Sequence, residues 1–218
     1  IILAGSGGHA KVLMRLIEEQ DMAITYLVSK DKNYKDIENF FSFKEKIDDD
    51  DLLDLDKNQV EIVNGIGSVP PNKNRSIFFD KFSKDGFTFK SLISKYAYVS
   101  QDSVIEEGVQ ILPGAVVQSG TVIGKNTIIN TGALIDHDCL IGRNNHIAPG
   151  AVLSGSVKTD DGVHVGTNAS IIQGISIGKD SIIGAGVCAV KNVPKGHTLF
   201  PAKSYLTKNK WKIIGKKL

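Results

Sequence analysis

Of the five histidines in this 218-residue chain, His137 has the setting best suited to chemistry, in Asp136-His137-Asp138-Cys139. Imidazole titrates near neutrality, so a histidine held by a carboxylate can take a proton as a general base. Asp138 can hold the ring and select its tautomer. It can also serve as a turn residue, and the two roles are compatible. His146 and His164 are 18 residues apart, and Asn130 lies seven before His137. The two histidines would line a groove or form a plain ladder, and Asn130 is a candidate substrate contact. Cys139 and Cys188 read as structural, which leaves no plausible nucleophile. The 9- and 18-residue spacings of His137, His146 and His164 are a poor match for a zinc site, and no metal is expected. At the N-terminus, Gly5-Ser6-Gly7-Gly8-His9-Ala10 fits a glycine turn whose backbone N–H groups and following helix can hold phosphate. Gly5, Ser6, Gly7, Gly8 and His9 are therefore candidate ligand contacts, joined by Asp31 after the second strand and Gly67 after the third. His9 faces the ligand or packs in the turn.

These residues need elements to hold them. Stepping by six from Ile93 to Ala189 gives 17 positions, of which 15 are Ile, Val or Leu. Three residues after each aliphatic comes Gly, Asn or Asp in 15 of 17 repeats, with Tyr96 and Ser156 the exceptions. Those types tolerate positive φ. A small residue usually follows one place later. Each hexad is thus a short strand and a turn, the repeat pattern of a stacked parallel β-helix. His137 then falls in a turn and points outward. The N-terminal segment alternates strand and helix: strands at 1–4, 24–28, 60–64 and 87–90, with helices over 11–18 and 75–83. One βαβ unit and a third strand leave no room for a full dinucleotide fold, so a mononucleotide or nucleotide-sugar site is expected. The acidic run Asp48–Asp51 reads as a solvated loop or helix start.

The composition agrees. Fifteen of 22 glycines lie between Gly108 and Gly196, and aromatics are only 7%, as an Ile/Val-stacked prism requires. The net charge of +2 conceals −3 over residues 1–92, −1 over 93–197 and +6 over 198–218. The expected organisation is an α/β Rossmann-like domain (1–92), a β-helix (93–197) and a basic tail (198–218). Lysines without interleaved aromatics are weak grounds for nucleic-acid binding, and the tail reads as a solvated helix or an attraction for an anionic cofactor. No apolar run is long enough to span a membrane, the chain is too poor in cysteine for a disulfide scaffold, and a cytoplasmic location is expected.

Three stretches carry a family resemblance: IILAGSGGHAKVL at 1–13, INTGALIDHDCLIGRNNHIAPGAVLSG at 129–155 and IIGAGVCAVKNVPKG at 182–196. With them the chain resembles the bacterial sugar O-acyltransferases of the sialic-acid type, whose β-helix is left-handed. It is most like the bacillosamine-pathway branch, which N-acetylates a UDP-4-amino-sugar. The resemblance implies acetyl-CoA as co-substrate, a nucleotide-sugar acceptor bound by the N-terminal domain, and a homotrimer with active sites between neighbouring β-helices. It implies His137 as catalytic base with Asp138 as its partner. His146, Gly155 and His164 would then contact the donor, with His146 beside the acetyl group and the backbone near Gly155 facing its carbonyl. Two departures stand out: Val28-Ser29-Lys30-Asp31 where relatives often carry an acidic pair, and Leu199-Phe200-Pro201-Ala202 without a Gly-Asn before Pro-Ala. The rival expectations are O-acetylation of a sialic-acid-like sugar, a zinc-dependent β-helix lyase, and a non-catalytic β-helix.

Overall fold

A computed structural model describes residues 1–29 and 41–202. Asp31 and the six lysines of the tail lie outside these residues. The chain opens with β1 (Ile2–Ala4), α1 (Gly8–Glu19), β2 (Ile24–Val28), β3 (Phe43–Ile47), a 3-10 turn (Asp51–Asp54), β4 (Glu61–Asn64), α2 (Asn74–Lys84) and β5 (Thr88–Phe89). The five strands form a parallel sheet in the order β3-β2-β1-β4-β5. α1 buries Ala10, Leu13, Met14, Leu16 and Ile17, one stripe at helical spacing. α2 buries Phe78, Phe79 and Phe82, which join Phe87 and Phe89 in the second core of the domain. Strand β3 has no counterpart in the sequence expectations. It is an edge strand, Phe-Lys-Glu-Lys-Ile, in which only Ile47 is buried, so it carries almost no hydrophobic signal. The acidic run does start a turn, with Asp51 Oδ2 accepting the Asp48 N–H at 2.9 Å.

Eighteen two-residue strands follow, β6 (Leu92–Ile93) to β23 (Thr198–Leu199), winding a left-handed β-helix. They lie on three faces of six, five and seven parallel strands, each pairing with the strand three along until β23, which pairs with β21. Register is 18 residues, as in Val117↔Ile135↔Leu153. The solenoid therefore begins at Leu92, and its last strand extends beyond residue 197. From Gly108 to Gly186 every sixth residue has positive φ. Ser156 obeys the rule at φ 59° although its type is not one that favours it. The period breaks only at the end, where Val193 sits two places early and bridges Ile177.

The prism interior is a stack of aliphatics, each fully buried side chain worth roughly 1.5–3 kcal/mol. A polar ledge interrupts it. Asn145 Nδ2 donates to Thr159 Oγ1 at 2.6 Å, and Asn145 Oδ1 accepts the Val163 N–H at 2.6 Å. Buried polar groups are tolerated when satisfied in this way. Cys139 fills a small inward slot, its thiol pushed up to about 11 by burial, and is chemically quiet. Cys188 differs from the expectation of two structural cysteines, since it faces outward and is exposed.

The two domains meet along the seven-stranded face. Leu92 and Leu112 enter the α1 core, and Phe79 of α2 packs over Gly108. A polar network runs through the contact. Arg75 Nη1 donates to the carbonyls of Asn64 (2.6 Å) and Ile66 (3.0 Å), and its Nε donates to Asn126 O. Asn64 Nδ2 donates to Asn126 Oδ1 at 3.1 Å. The loop after β4 is thereby tied to a corner of the β-helix.

Candidate active site

His137 lies in the turn between β13 (Leu134–Ile135) on the six-stranded face and β14 (Leu140–Ile141) on the five-stranded face. Asp138, next along, takes φ 58°. That bend swings its carboxylate back, and Oδ2 accepts a hydrogen bond from His137 Nδ1 at 2.8 Å. A carboxylate is an acceptor only, so Nδ1 carries the proton and Nε2 is left with its lone pair outward. Both roles expected of Asp138 are thus filled by one residue. The Asp138 hydrogen bond, reinforced by the charge of Asp136, raises the imidazole above its ordinary pKa. One coil on, Gly155 makes room for the ring: a Cβ there would sit 2.6 Å from His137 Cε1 and Nε2. Gly155 needs no left-handed backbone, so its glycine is explained by the imidazole. Its N–H enters no hydrogen bond among the described residues. The arrangement is an exposed imidazole, oriented by a carboxylate and seated over a free backbone donor.

His146 and His164 stack on the seven-stranded face in the outward column Leu92, Gln110, Ile128, His146, His164, Ile182. Their rings are 5.0 Å apart, edge to face. His146 Nδ1 donates to the carbonyl of Ser68 at 2.7 Å, which leaves Nε2 to accept from Asn130 Nδ2 at 3.0 Å. With both nitrogens engaged and burial lowering its pKa to about 4, His146 is a neutral fixture and not a base. His164 is lowered by burial as well.

In a three-faced prism, the edge between two faces lies across from the third. His137 is on the edge opposite the face that carries His146, so one chain does not bring the two together. It brings together His137, Asp138 and Gly155 in one place, and His146, His164, Asn130 and Ser68 in another.

The glycine turn stands at the carboxyl ends of β1 and β4, where the strand order reverses direction; open α/β sheets bind ligands in that crevice. Gly5 has φ 97° and touches Gly65, so the two loops approach closely at backbone level. Gly7 and Gly8 are open, with nothing within 4 Å of a Cβ at either. No side chain caps α1 at Gly7, so its first N–H groups face the crevice. Ser6 Oγ bonds Ser29 Oγ at 2.7 Å. Gly67 lies beside His9, whose Cβ would be 3.8 Å from one built on the glycine. The His9 ring turns toward the β-helix, where Nε2 donates to Gln110 Oε1 at 2.7 Å while Gln110 Nε2 donates to Asn64 O. Burial first, then the charge of Arg75, lowers the pKa of His9 to about 3.

Sequence reasoning missed Arg75, Gln110 and Ser68, the residues that hold the two domains together. Gln110 alone left a trace, as a polar residue in the outward column of His146. Among the described residues no three His, Cys, Asp or Glu side chains form a group that could hold a metal, and no helix is long and apolar enough to cross a membrane.

An α/β region with an open glycine turn, set on a left-handed hexapeptide prism with a carboxylate-oriented histidine on its edge, has the architecture of a hexapeptide-repeat acyltransferase. The comparisons agree. Residues 1–82 match the PglD N-terminal domain, and residues 102–137 and 120–155 match the bacterial transferase hexapeptide family (six repeats). PerB from Caulobacter crescentus, solved with CoA and GDP-perosamine, is 30% identical, with 90% of this chain and 91% of that chain covered and a TM-score of 0.81. The acetyltransferase domain of PglB from Neisseria gonorrhoeae, solved with acetyl coenzyme A, is 31% identical over 90% and 93% of the two chains, with a TM-score of 0.79. WeeI from Acinetobacter baumannii AYE shares the fold at 24% identity and a TM-score of 0.75 over 90% and 94%. The chain belongs to the acetyl-CoA-dependent sugar N-acetyltransferases of the bacillosamine and perosamine type.

Proposed function

We propose that the protein moves an acetyl group from acetyl-CoA to the amino group of a nucleotide-linked 4-amino-sugar, with His137 as general base. The observation that carries this reading is the His137–Asp138 pair seated over Gly155. The acceptor amine attacks the thioester carbonyl, and His137 Nε2 takes the proton that the nitrogen sheds. The C–N bond forms and the C–S bond breaks. The proton then passes from the imidazolium to the departing thiolate, so no acyl-enzyme is needed. Asp138 stabilises the imidazolium, and the Gly155 N–H is suited to the oxyanion of the tetrahedral intermediate.

The donor contacts proposed are His146, Gly155 and His164, and the acceptor contacts are Gly5–His9, Gly67, Asn130 and Asp31, the last outside the described residues. Because His137 and His146 stand across the prism from one another, a site that uses both takes them from two copies. A homotrimer with sites between β-helices supplies that arrangement. Tyr98, Leu134 and Val152, exposed in one outward column of the six-stranded face, offer apolar surface for such packing.

The nucleotide is proposed as UDP on the bacillosamine-type resemblance, and the GDP-linked sugar held by PerB makes GDP the rival. A thermal-shift screen of UDP-, GDP- and CMP-linked 4-amino-sugars, with and without CoA, separates them. The cognate pair raises the melting temperature by mass action and supports transfer in an acetyl-CoA assay. A screen in which no nucleotide-sugar shifts the melting and none is acetylated would refute the reading.

A further inference from the structure

Among the described β-helix residues other than glycine, Asn126, Asp138, Asn144, Ser156, Asn168 and Asp180 take positive φ. Asn and Asp enter that region readily because their short side chains hydrogen-bond locally. Ser156, at φ 59°, is the exception. A serine there is strained, and strain of this kind gathers at working sites.

Ser156 lies inside the candidate active site. It follows Gly155, the residue against which the His137 ring rests. It stands one coil on from Asp138 on the same edge, and its N–H donates to His137 O at 2.9 Å. Asp138 and Ser156 share a backbone conformation, φ 58° and 59°, so their Cβ atoms leave the chain in the same direction. At Asp138 that direction carries the carboxylate back to the preceding residue, His137. At Ser156 it sets the hydroxyl back toward Gly155. Ser156 Oγ makes no hydrogen bond among the described residues, and it is not one of the closed, buried polar atoms, so it stays open to solvent. Gly174, one coil further on, has no side chain, and a Cβ there would meet nothing within 4 Å. The space over the hydroxyl is therefore clear.

The chemistry of the site has a use for such a group. A carbonyl oxygen has two lone pairs, and the Gly155 N–H satisfies one of them. A second fixed donor adds to the stabilisation of charge that develops on that oxygen. We propose that Ser156 is a further catalytic residue, its hydroxyl donating to the acetyl carbonyl oxygen of the donor beside the Gly155 N–H. The hydroxyl keeps its proton and forms no covalent bond, so transfer remains direct. The proposal rests on the acetyl-transfer reading for the identity of the donor.

The test compares wild type with Ser156→Ala, which keeps the strained turn, and Ser156→Gly, which relieves it. Ser156→Gly should melt about 2–4 °C above Ser156→Ala, and both should lose the same function. Calorimetric titration with acetyl-CoA and with CoA needs no acceptor. The ratio of the two affinities should fall about 3- to 10-fold in both variants. With acceptor present, kcat should fall about tenfold or more in both. The acid limb of kcat/KM against pH should stay in place, because Ser156 acts on the substrate and not through His137. Variants that keep both the wild-type affinity ratio and the wild-type kcat overturn the proposal. Loss in only one variant overturns it as well, because the backbone is then the cause, and so does a moved acid limb. A glycine variant no more stable than the alanine variant removes the strain that singles the residue out, and with it the proposal. Wild-type transfer with indifferent variants removes the role of Ser156 alone. A fallen affinity ratio in both variants, with no amino-sugar acetylated by the wild type, removes the acetyl-transfer reading alone.

Discussion

Gly155→Ala adds one methyl group in the tightest spot of the candidate active site. The new Cβ would stand 2.6 Å from His137 Cε1 and Nε2. Carbon atoms settle at about 3.5–4.0 Å, so the ring must withdraw by about 1 Å. The backbone can accept alanine, because Gly155 does not occupy the left-handed region. The fold should therefore survive while the base moves. A displacement of about 1 Å is enough to cost roughly 100-fold in rate, or about 2.7 kcal/mol of transition-state stabilisation. The assay is steady-state acetyl transfer with both substrates saturating, alongside thermal melting. A kcat about 100-fold down, with melting close to wild type, is expected. The substitution keeps the Gly155 N–H, so the loss reports on the imidazole. Combined with His137→Asn it should add little, because the two act on one group. Normal turnover by a well-folded G155A enzyme would refute the claim that this glycine seats the base.

Three further outcomes are expected. His137 must be neutral to accept a proton, and its pKa is raised chiefly by Asp138, so kcat/KM should climb with pH through that raised value; Asp138→Asn should move the acid limb to lower pH and reduce the plateau, and an unmoved limb would dismiss Asp138 as partner. Co-expressed His137→Ala and His146→Ala chains should recover about a quarter of wild-type activity, because random C3 assembly makes about a quarter of the interfaces intact; hybrids as dead as either parent would place both histidines in one subunit. His9 and His146 have folded pKa values depressed to about 3 and 4, below the unfolded value, so their share of stability is complete above about pH 6.5 and is lost as pH falls toward those values. At about pH 5.5 the two together should cost up to about 3 kcal/mol. A His9→Gln/His146→Gln protein should melt with a flatter pH dependence, and an unchanged slope would exclude them as the cause.

The β-helix was legible because it is periodic: an aliphatic, a turn residue and a small residue in most hexads set the strand positions and the positive-φ turns. His137 and Asp138 were legible for the same reason, since counting from Ile135 puts them in a turn. Strand β3 was not, because an edge strand with one buried residue leaves no alternation to read. Arg75 and Gln110 were hidden for a different reason. Arg75 donates to the backbone carbonyls of Asn64, Ile66 and Asn126, and Gln110 links the His9 ring to Asn64 O; contacts to backbone carbonyls place no demand on side-chain type that a single chain displays. The separation of His137 from His146 followed only from assigning strands to faces, because nine residues is half a coil.

The central claim is that His137 takes the acceptor's proton during direct acetyl transfer. It is tested most directly by the kcat of a His137→Asn protein with acetyl-CoA and the cognate nucleotide-linked amino-sugar. A fall of about 10²- to 10⁴-fold, with KM for both substrates little changed, is expected of a lost general base. A His137→Asn protein that turns over at the wild-type rate would contradict it.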